Sequence, residues 1–255
     1  YLRALRLAIL NAPDYAVIIP ARYQSSRLPG KPLVDLCGVP MVVRTYRQCI
    51  QACPPERVYV ATDDERIAAV CRAHEIQVLM TSPDCLTGTD RVAECARQLD
   101  VEVLINVQGD EPVFNPQDLR SVLASLSQYP GEVLNGFCAI DNDESFRSES
   151  IPKVVMRPDG RLLYMSRSPI PGNKQHAFVR AWRQVCVYAF PRAALVAFAE
   201  QPRKTPLEEL EDIEILRFLE LGWEVRMLEM SADSIAVDNP DDVARAEAAI
   251  CERGL

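Results

Sequence analysis

Short apolar runs alternate with helix-length amphipathic segments through the first half of the chain. No other feature restricts its fold as strongly. Residues 16–20, 58–62, 77–81 and 101–107 read as strands, with helices expected over 39–53, 64–74 and 89–99. Strand–helix–strand units at this spacing close by right-handed crossovers and lay their strands parallel. A helix over 116–128 and a strand over 136–140 continue the pattern. The expectation is an α/β fold around a mainly parallel sheet.

The middle changes character. Lys153–Met156 and residues 161–164 flank Arg157-Pro158-Asp159-Gly160, a turn sequence that predicts an antiparallel hairpin. Residues 170–177 form a loop rich in Pro, Gly and Asn, and 185–190 resumes as a strand. A long helix is expected over 206–221, opened by Thr205-Pro206 and ended by Gly222. A strand over 225–229 and a helix over 240–251, capped by Asn239, close the chain. With no repeat, biased tract or long linker, residues 15–255 read as one domain. It carries an antiparallel insertion at about 140–190, of the kind that serves as a lid or dimer surface. Residues 1–14 read as an N-terminal extension. The first ten residues are apolar but carry Arg3 and Arg6, and they are too short to span a bilayer, so an accessory helix is expected rather than a signal peptide. The chain does not open with Met, and a preceding piece is expected.

Composition excludes several classes. Of 255 residues, 48% are hydrophobic and 25% charged, which argues against disorder, collagen and a multi-span membrane protein. Lys and Arg number 28 against 36 Asp and Glu, a net charge of −8 that disfavours nucleic acid and stable membrane association. Nine cysteines are scattered without a C-x-x-C pair, and His74 and His176 are the only histidines. A zinc site or disulfide framework is therefore not expected, and reduced thiols in the cytoplasm are.

Three segments carry chemistry. The loop Pro20-Ala21-Arg22-Tyr23-Gln24-Ser25-Ser26-Arg27-Leu28-Pro29-Gly30-Lys31-Pro32-Leu33 follows the first strand directly. Arg22, Arg27 and Lys31 place three cations at a strand's carboxyl end, where open α/β sheets bind ligands. They suit a polyphosphate, although the same residues also suit a solvated basic loop. The loop is not a P-loop, since Pro32 follows Gly30-Lys31, and no G-x-G-x-x-G occurs in the chain. Asn106-Val107-Gln108-Gly109-Asp110-Glu111-Pro112 ends the fourth strand on the same sheet edge. Asp110 there suits Mg²⁺ on phosphate oxygens, or simply a turn. Asp238, in Ser234-Ile235-Ala236-Val237-Asp238-Asn239-Pro240-Asp241-Asp242, offers a second carboxylate, while Asp241 and Asp242 read as helix-capping residues.

These motifs, in this order and with the Gly88-Thr89-Asp90-Arg91 step, resemble the 3-deoxy-manno-octulosonate (Kdo) cytidylyltransferase family from about residue 15 to 250. The resemblance implies a Rossmann-like nucleotidyltransferase fold, a mainly parallel sheet with an antiparallel insertion, a homodimer and Mg²⁺. It also implies transfer of CMP from CTP to Kdo or a related 2-keto-3-deoxy sugar acid, with release of diphosphate, in glycan or lipopolysaccharide synthesis. By position it assigns catalysis to Arg22, Lys31, Asp110 and Asp238, the last two holding the metal. It assigns CTP binding to Ala21, Arg22, Arg27, Lys31, Arg91 and Gln108. Sugar binding falls to Arg167, Gln184, Tyr188, Glu211 and Glu214. The chain departs from the family twice: Gln184 stands where the family has His, and Ile215 where it has Gln. Both departures are expected on the sugar side, so an amino-Kdo or a nonulosonic acid competes as acceptor. A non-catalytic nucleotide-binding relative is the remaining alternative.

Overall fold

A computed structural model describes residues 13–25 and 27–255. The expected N-terminal helix and Ser26 lie outside the described residues. Strands β1 (Tyr15–Ala21), β4 (Val58–Thr62), β5 (Gln77–Met80) and β6 (Val103–Val107) run parallel, in the spatial order β5-β4-β1-β6. Helices α1 (Met41–Cys49), α2 (Glu65–Ala73) and α3 (Gly88–Cys95) make the crossovers. The predicted helix over 39–53 starts late because Val39–Pro40 (β3) pairs with Asp35–Leu36 (β2) instead. Cys37 and Gly38 make that two-residue turn with φ of 51° and 79°, the left-handed pair a tight hairpin requires.

After α4 (Pro116–Ser125) the sheet becomes mixed. Strand β7 (Val133–Ile140) is followed by α5 (Asp143–Arg147), β8 (Lys153–Met156) and β9 (Leu162–Ser166), the last two forming the predicted hairpin. The long β10 (Ala181–Pro191) lies antiparallel between β6 and β7, and its first residues also pair with β8. A sheet-interior antiparallel strand is invisible to local patterning, because the alternation of faces is the same in either direction. Strand β11 (Val225–Glu229) completes the order beside β7, and α9 (Pro240–Arg253) follows it.

Both faces of the sheet are covered. Val17, Ile19, Ile105 and Val107 pack with residues of α1, α2 and α4, while Ala16, Ile18, Leu104 and Phe190 face α3, α6 (Arg192–Ala199) and the helix pair that follows. On the second face Tyr188, Phe190, Phe218 and Phe198 stack in series at 5.6, 4.9 and 4.9 Å.

The single helix expected over 206–221 is instead two, α7 (Pro206–Glu211) and α8 (Ile215–Glu220), with Asp212 left-handed at φ 51° between them. Long-range bonds override the local helical propensity. Arg167 donates from Nε to the Glu211 carbonyl at 2.6 Å and from Nη2 to the Asp212 carbonyl at 2.9 Å. The Glu211 carboxylate in turn accepts from the Ser166 hydroxyl at 2.6 Å and the Arg167 amide at 2.8 Å. Each half is also anchored by a buried pair, Glu208 of α7 with Arg217 of α8, at 2.5 and 2.7 Å. At the start of α7 the Glu208 carboxylate accepts from the Thr205 amide at 3.2 Å, and at the start of α9 the Asp242 carboxylate accepts from the Asn239 amide at 2.9 Å, the N3 arm of a capping box in each case.

Candidate active site

Ile18 of β1 sits opposite Asn106 of β6, so both strands end together and the loops leaving them share one edge. The approach is close enough to demand glycine: a Cβ on Gly109 would lie 2.7 Å from the Pro20 carbonyl oxygen. The Thr45 hydroxyl donates to the Gly109 carbonyl at 3.2 Å, fixing the peptide that precedes Asp110. Farther along, the Val237 amide donates to the Asp110 carbonyl at 2.9 Å. That bond brings Asp238 beside Asp110 from the far end of the chain.

One ammonium joins the two carboxylates. Lys31 Nζ lies 2.6 Å from Asp110 Oδ2 and 3.1 Å from Asp238 Oδ1, and Arg27 reaches the same Asp238 oxygen at 2.9 Å. Gly30, with φ 71°, turns the chain into the short helix that presents Lys31. These residues rim a cavity of about 320 Å³ into which Ala21, Arg22, Arg91 and Gln108 also face. Arg91 is buried, donates to the Thr81 hydroxyl and pairs with Asp63 at 3.4 Å. Asp63 Oδ1 has no hydrogen-bond partner of its own, so its hold on Arg91 is one of charge, beside the Thr81 hydrogen bond.

The cavity's far wall was not legible in the sequence. Lys204 and Asp212 form an ion pair there, adding a fifth cation to Arg22, Arg27, Lys31 and Arg91, and neither belongs to a motif. Lys204 also pulls the Asp212 carboxyl below its usual range. The Thr87 end of α3 opens on the cavity too; its capping box with Asp90 is readable from the Thr-x-x-Asp spacing. Glu214 faces the cavity and accepts from the Thr89 amide at 2.9 Å. Burial raises its carboxyl above the ordinary value, opposed by the Thr89 bonds. Beneath the rim, burial pushes Glu111 up to about 7 although the Ser234 hydroxyl donates to it at 2.6 Å.

Four residues expected at the sugar lie away from this wall. Arg167 and Glu211 hold the α7–α8 break as described. Gln184 donates from Nε2 to Asn135 Oδ1 at 2.9 Å, and Asn135 satisfies the Val185 and Val187 carbonyls at the bulge in β10. Tyr188 lies in the aromatic stack, with burial holding its hydroxyl well above its ordinary value. Ile215 is likewise core, 1% exposed. Neither departure from the family pattern lines the cavity. Asp242 caps α9, as expected, accepting from the amides of Asp238 and Asn239 at 2.8 and 2.9 Å.

No helix among the described residues is long and apolar enough to cross a membrane. A family model of cytidylyltransferases matches residues 16–228. A 3-deoxy-manno-octulosonate cytidylyltransferase of Syntrophotalea carbinolica is 40% identical over 248 residues, covering 93% of this chain and 98% of its own. An 8-amino-3,8-dideoxy-manno-octulosonate cytidylyltransferase of Shewanella baltica is 38% identical over 240 residues, covering 92% and 97%. Among solved structures, a CMP:2-keto-3-deoxy-manno-octonic acid synthetase complexed with CTP superposes with a TM-score of 0.88 at 35% identity, covering 94% of this chain and 99% of its own.

Proposed function

This chain belongs to the 3-deoxy-manno-octulosonate cytidylyltransferase family, a nucleotidyltransferase family, and from that premise we propose that it transfers CMP from CTP to the anomeric hydroxyl of an octulosonic acid, with Mg²⁺ held by Asp110 and Asp238. One observation carries the reading: two aspartates 128 positions apart converge on a single ammonium at the rim of a cation-lined cavity. A polyphosphate supplies the anionic partner such a cavity needs.

The donor set fits the metal. Asp110 and Asp238 share one positive charge at 2.6 and 3.1 Å, so both carboxylates face one point and could hold a hard cation between them and the substrate. No group of three or more His, Cys, Asp or Glu suited to a metal occurs among the described residues. Two carboxylates with water and phosphate oxygens making up the rest are typical for Mg²⁺. When bound, the ion supplies Lewis-acid polarisation of phosphate and acceptor oxygens.

The chain's own residues do the remaining work. Lys31, on the cavity rim, would present its ammonium to the phosphates. Arg22 and Arg27 neutralise the charge carried by the departing diphosphate. Arg91 and Gln108 orient the nucleotide, Arg91 being locked by Thr81 and Asp63. Glu214, held on the α3 amide, offers an acceptor to a sugar hydroxyl.

A second acceptor, the 8-amino analogue, is supported by the 38% identity to the Shewanella baltica relative. Diphosphate release measured with CTP, Mg²⁺ and a panel of 2-keto-3-deoxy sugar acids tests both. Release with Kdo or its 8-amino analogue, dependent on Mg²⁺, is expected. CTP binding without release for any acid in the panel would remove the proposal.

A further inference from the structure

Two exposed cysteines meet on the side of the molecule where the β2–β3 turn docks on α9. Cys37 Sγ lies 4.0 Å from Cys251 Sγ, although 214 positions separate them. The turn is anchored at this spot: the Cys37 amide donates to Glu247 Oε1 at 3.1 Å, and its thiol reaches the Glu247 carbonyl at 3.9 Å. Below the contact, Leu36 and Met41 pack against Ala246 and Ile250. Backbone positions on both sides are therefore held, and the sulfurs must close by only about 2 Å to reach bonding distance. Cys37 also occupies a left-handed position, φ 51°, where Asn or Gly is the easier choice in such a turn. The other seven cysteines differ in setting. Cys49, Cys53, Cys71, Cys95 and Cys138 are buried, Cys85 and Cys186 are half-buried, and no other sulfur–sulfur hydrogen-bond contact is found among the described residues.

We propose that Cys37 and Cys251 are a modification site, an intramolecular dithiol that peroxides convert to a disulfide joining the β2–β3 turn to α9. One thiolate attacks a peroxide oxygen, breaking the O–O bond, forming a sulfenic acid and releasing water after protonation. The second thiolate attacks the sulfenic sulfur, forming the S–S bond and expelling hydroxide, which takes a proton. Overall two thiols lose two electrons and two protons, and one hydrogen peroxide becomes two waters. The bond staples the segment that presents Lys31 to the helix that follows Asp238, so it constrains the two sides of the cation–carboxylate cluster from behind. The inference rests on the thiol geometry alone and is independent of the acceptor.

The full chain, reduced and then treated with hydrogen peroxide, tests it. The expected product is a monomer lighter by about 2 Da, whose non-reducing peptide map contains one cross-link between the Cys37 and Cys251 peptides. Dithiothreitol restores both thiols. Cys37→Ser and Cys251→Ser each abolish the mass loss. A link closing so long a loop should raise the melting temperature by roughly 5 °C or more in the wild type and in neither variant. Full alkylation of both thiols after peroxide treatment, or a cross-link joining two chains in place of the internal one, overturns the proposal.

Discussion

Gly109→Ala is expected to cripple the enzyme while leaving it folded. The added Cβ lies 2.7 Å from the Pro20 carbonyl oxygen and 3.5 Å from Ile19 Cγ2. The oxygen cannot swing aside freely, because β1 is held on the β4 edge at this level, Pro20 with Ala61, and on the β6 edge two residues earlier, Ile18 with Asn106. Nor can the Gly109 peptide turn freely, since Thr45 holds its carbonyl at 3.2 Å. Relief therefore means parting the two strand tips by about 0.7 Å to restore ordinary contact. Overpacking of this kind costs about 1–3 kcal/mol, or roughly 3–10 °C in melting temperature for a chain of this size. Asp110 is the next residue, 2.6 Å from Lys31, so the same displacement moves a carboxylate of the reacting cluster. Misplacement approaching 1 Å costs on the order of 100-fold, and a loss of about 10- to 100-fold in kcat is expected. Steady-state kinetics at saturating CTP and thermal melts of the same preparation measure both effects. Gly172→Ala is the control, since nothing lies within 4 Å of its added Cβ. A Gly109→Ala enzyme within twofold of wild-type kcat, melting within about 1 °C of it, would show that the strand tips yield freely and that the argument from close approach is wrong.

Asp110→Asn and Asp238→Asn should each lower transfer by about 100-fold or more with little change in melting temperature; near-normal rates for both at limiting Mg²⁺ would remove the metal assignment. Lys31→Ala should cost about 100- to 1,000-fold in kcat at saturating CTP, whereas a loss confined to KM would make Lys31 a ground-state clamp. Glu208→Gln leaves the fully buried Arg217 with only Asp90, at 3.3 Å, as a charged partner. Urea denaturation should show about 3 kcal/mol lost, and a loss under about 1 kcal/mol would mean the pair is neutral to folding. Burial raises Glu214 in the folded chain, so the native state holds a proton that the unfolded chain releases near the ordinary value of 4.5. Its contribution is thus fullest below that value and is lost as pH rises through the raised folded one. Glu214→Gln should flatten this part of the stability–pH profile, and an unchanged slope in denaturant titrations would refute the assignment.

The chain's own pattern determined the parallel half of the sheet, the hairpin after β8, the caps at Thr205 and Asn239, and the cationic loop. All of these depend on neighbours a few residues apart: strand alternation, turn residues and capping spacings. Asp110 and Asp238 were legible as two strand-end carboxylates, and the family resemblance joined them at one metal, but no local pattern shows the contact itself, because the Val237–Asp110 bond that brings them together spans half of the chain. Tertiary structure alone decided three other points. β10 enters the sheet antiparallel, a choice that strand periodicity does not encode. The helix over 206–221 breaks at Asp212 because Arg167 takes the carbonyls that would have continued it. Gln184 and Ile215 turn into the fold instead of the cavity, while Lys204 and Asp212 arrive at its wall from segments with no motif. Local backbone preference is written along the chain, whereas the direction a side chain finally faces is set by partners that only folding brings within reach.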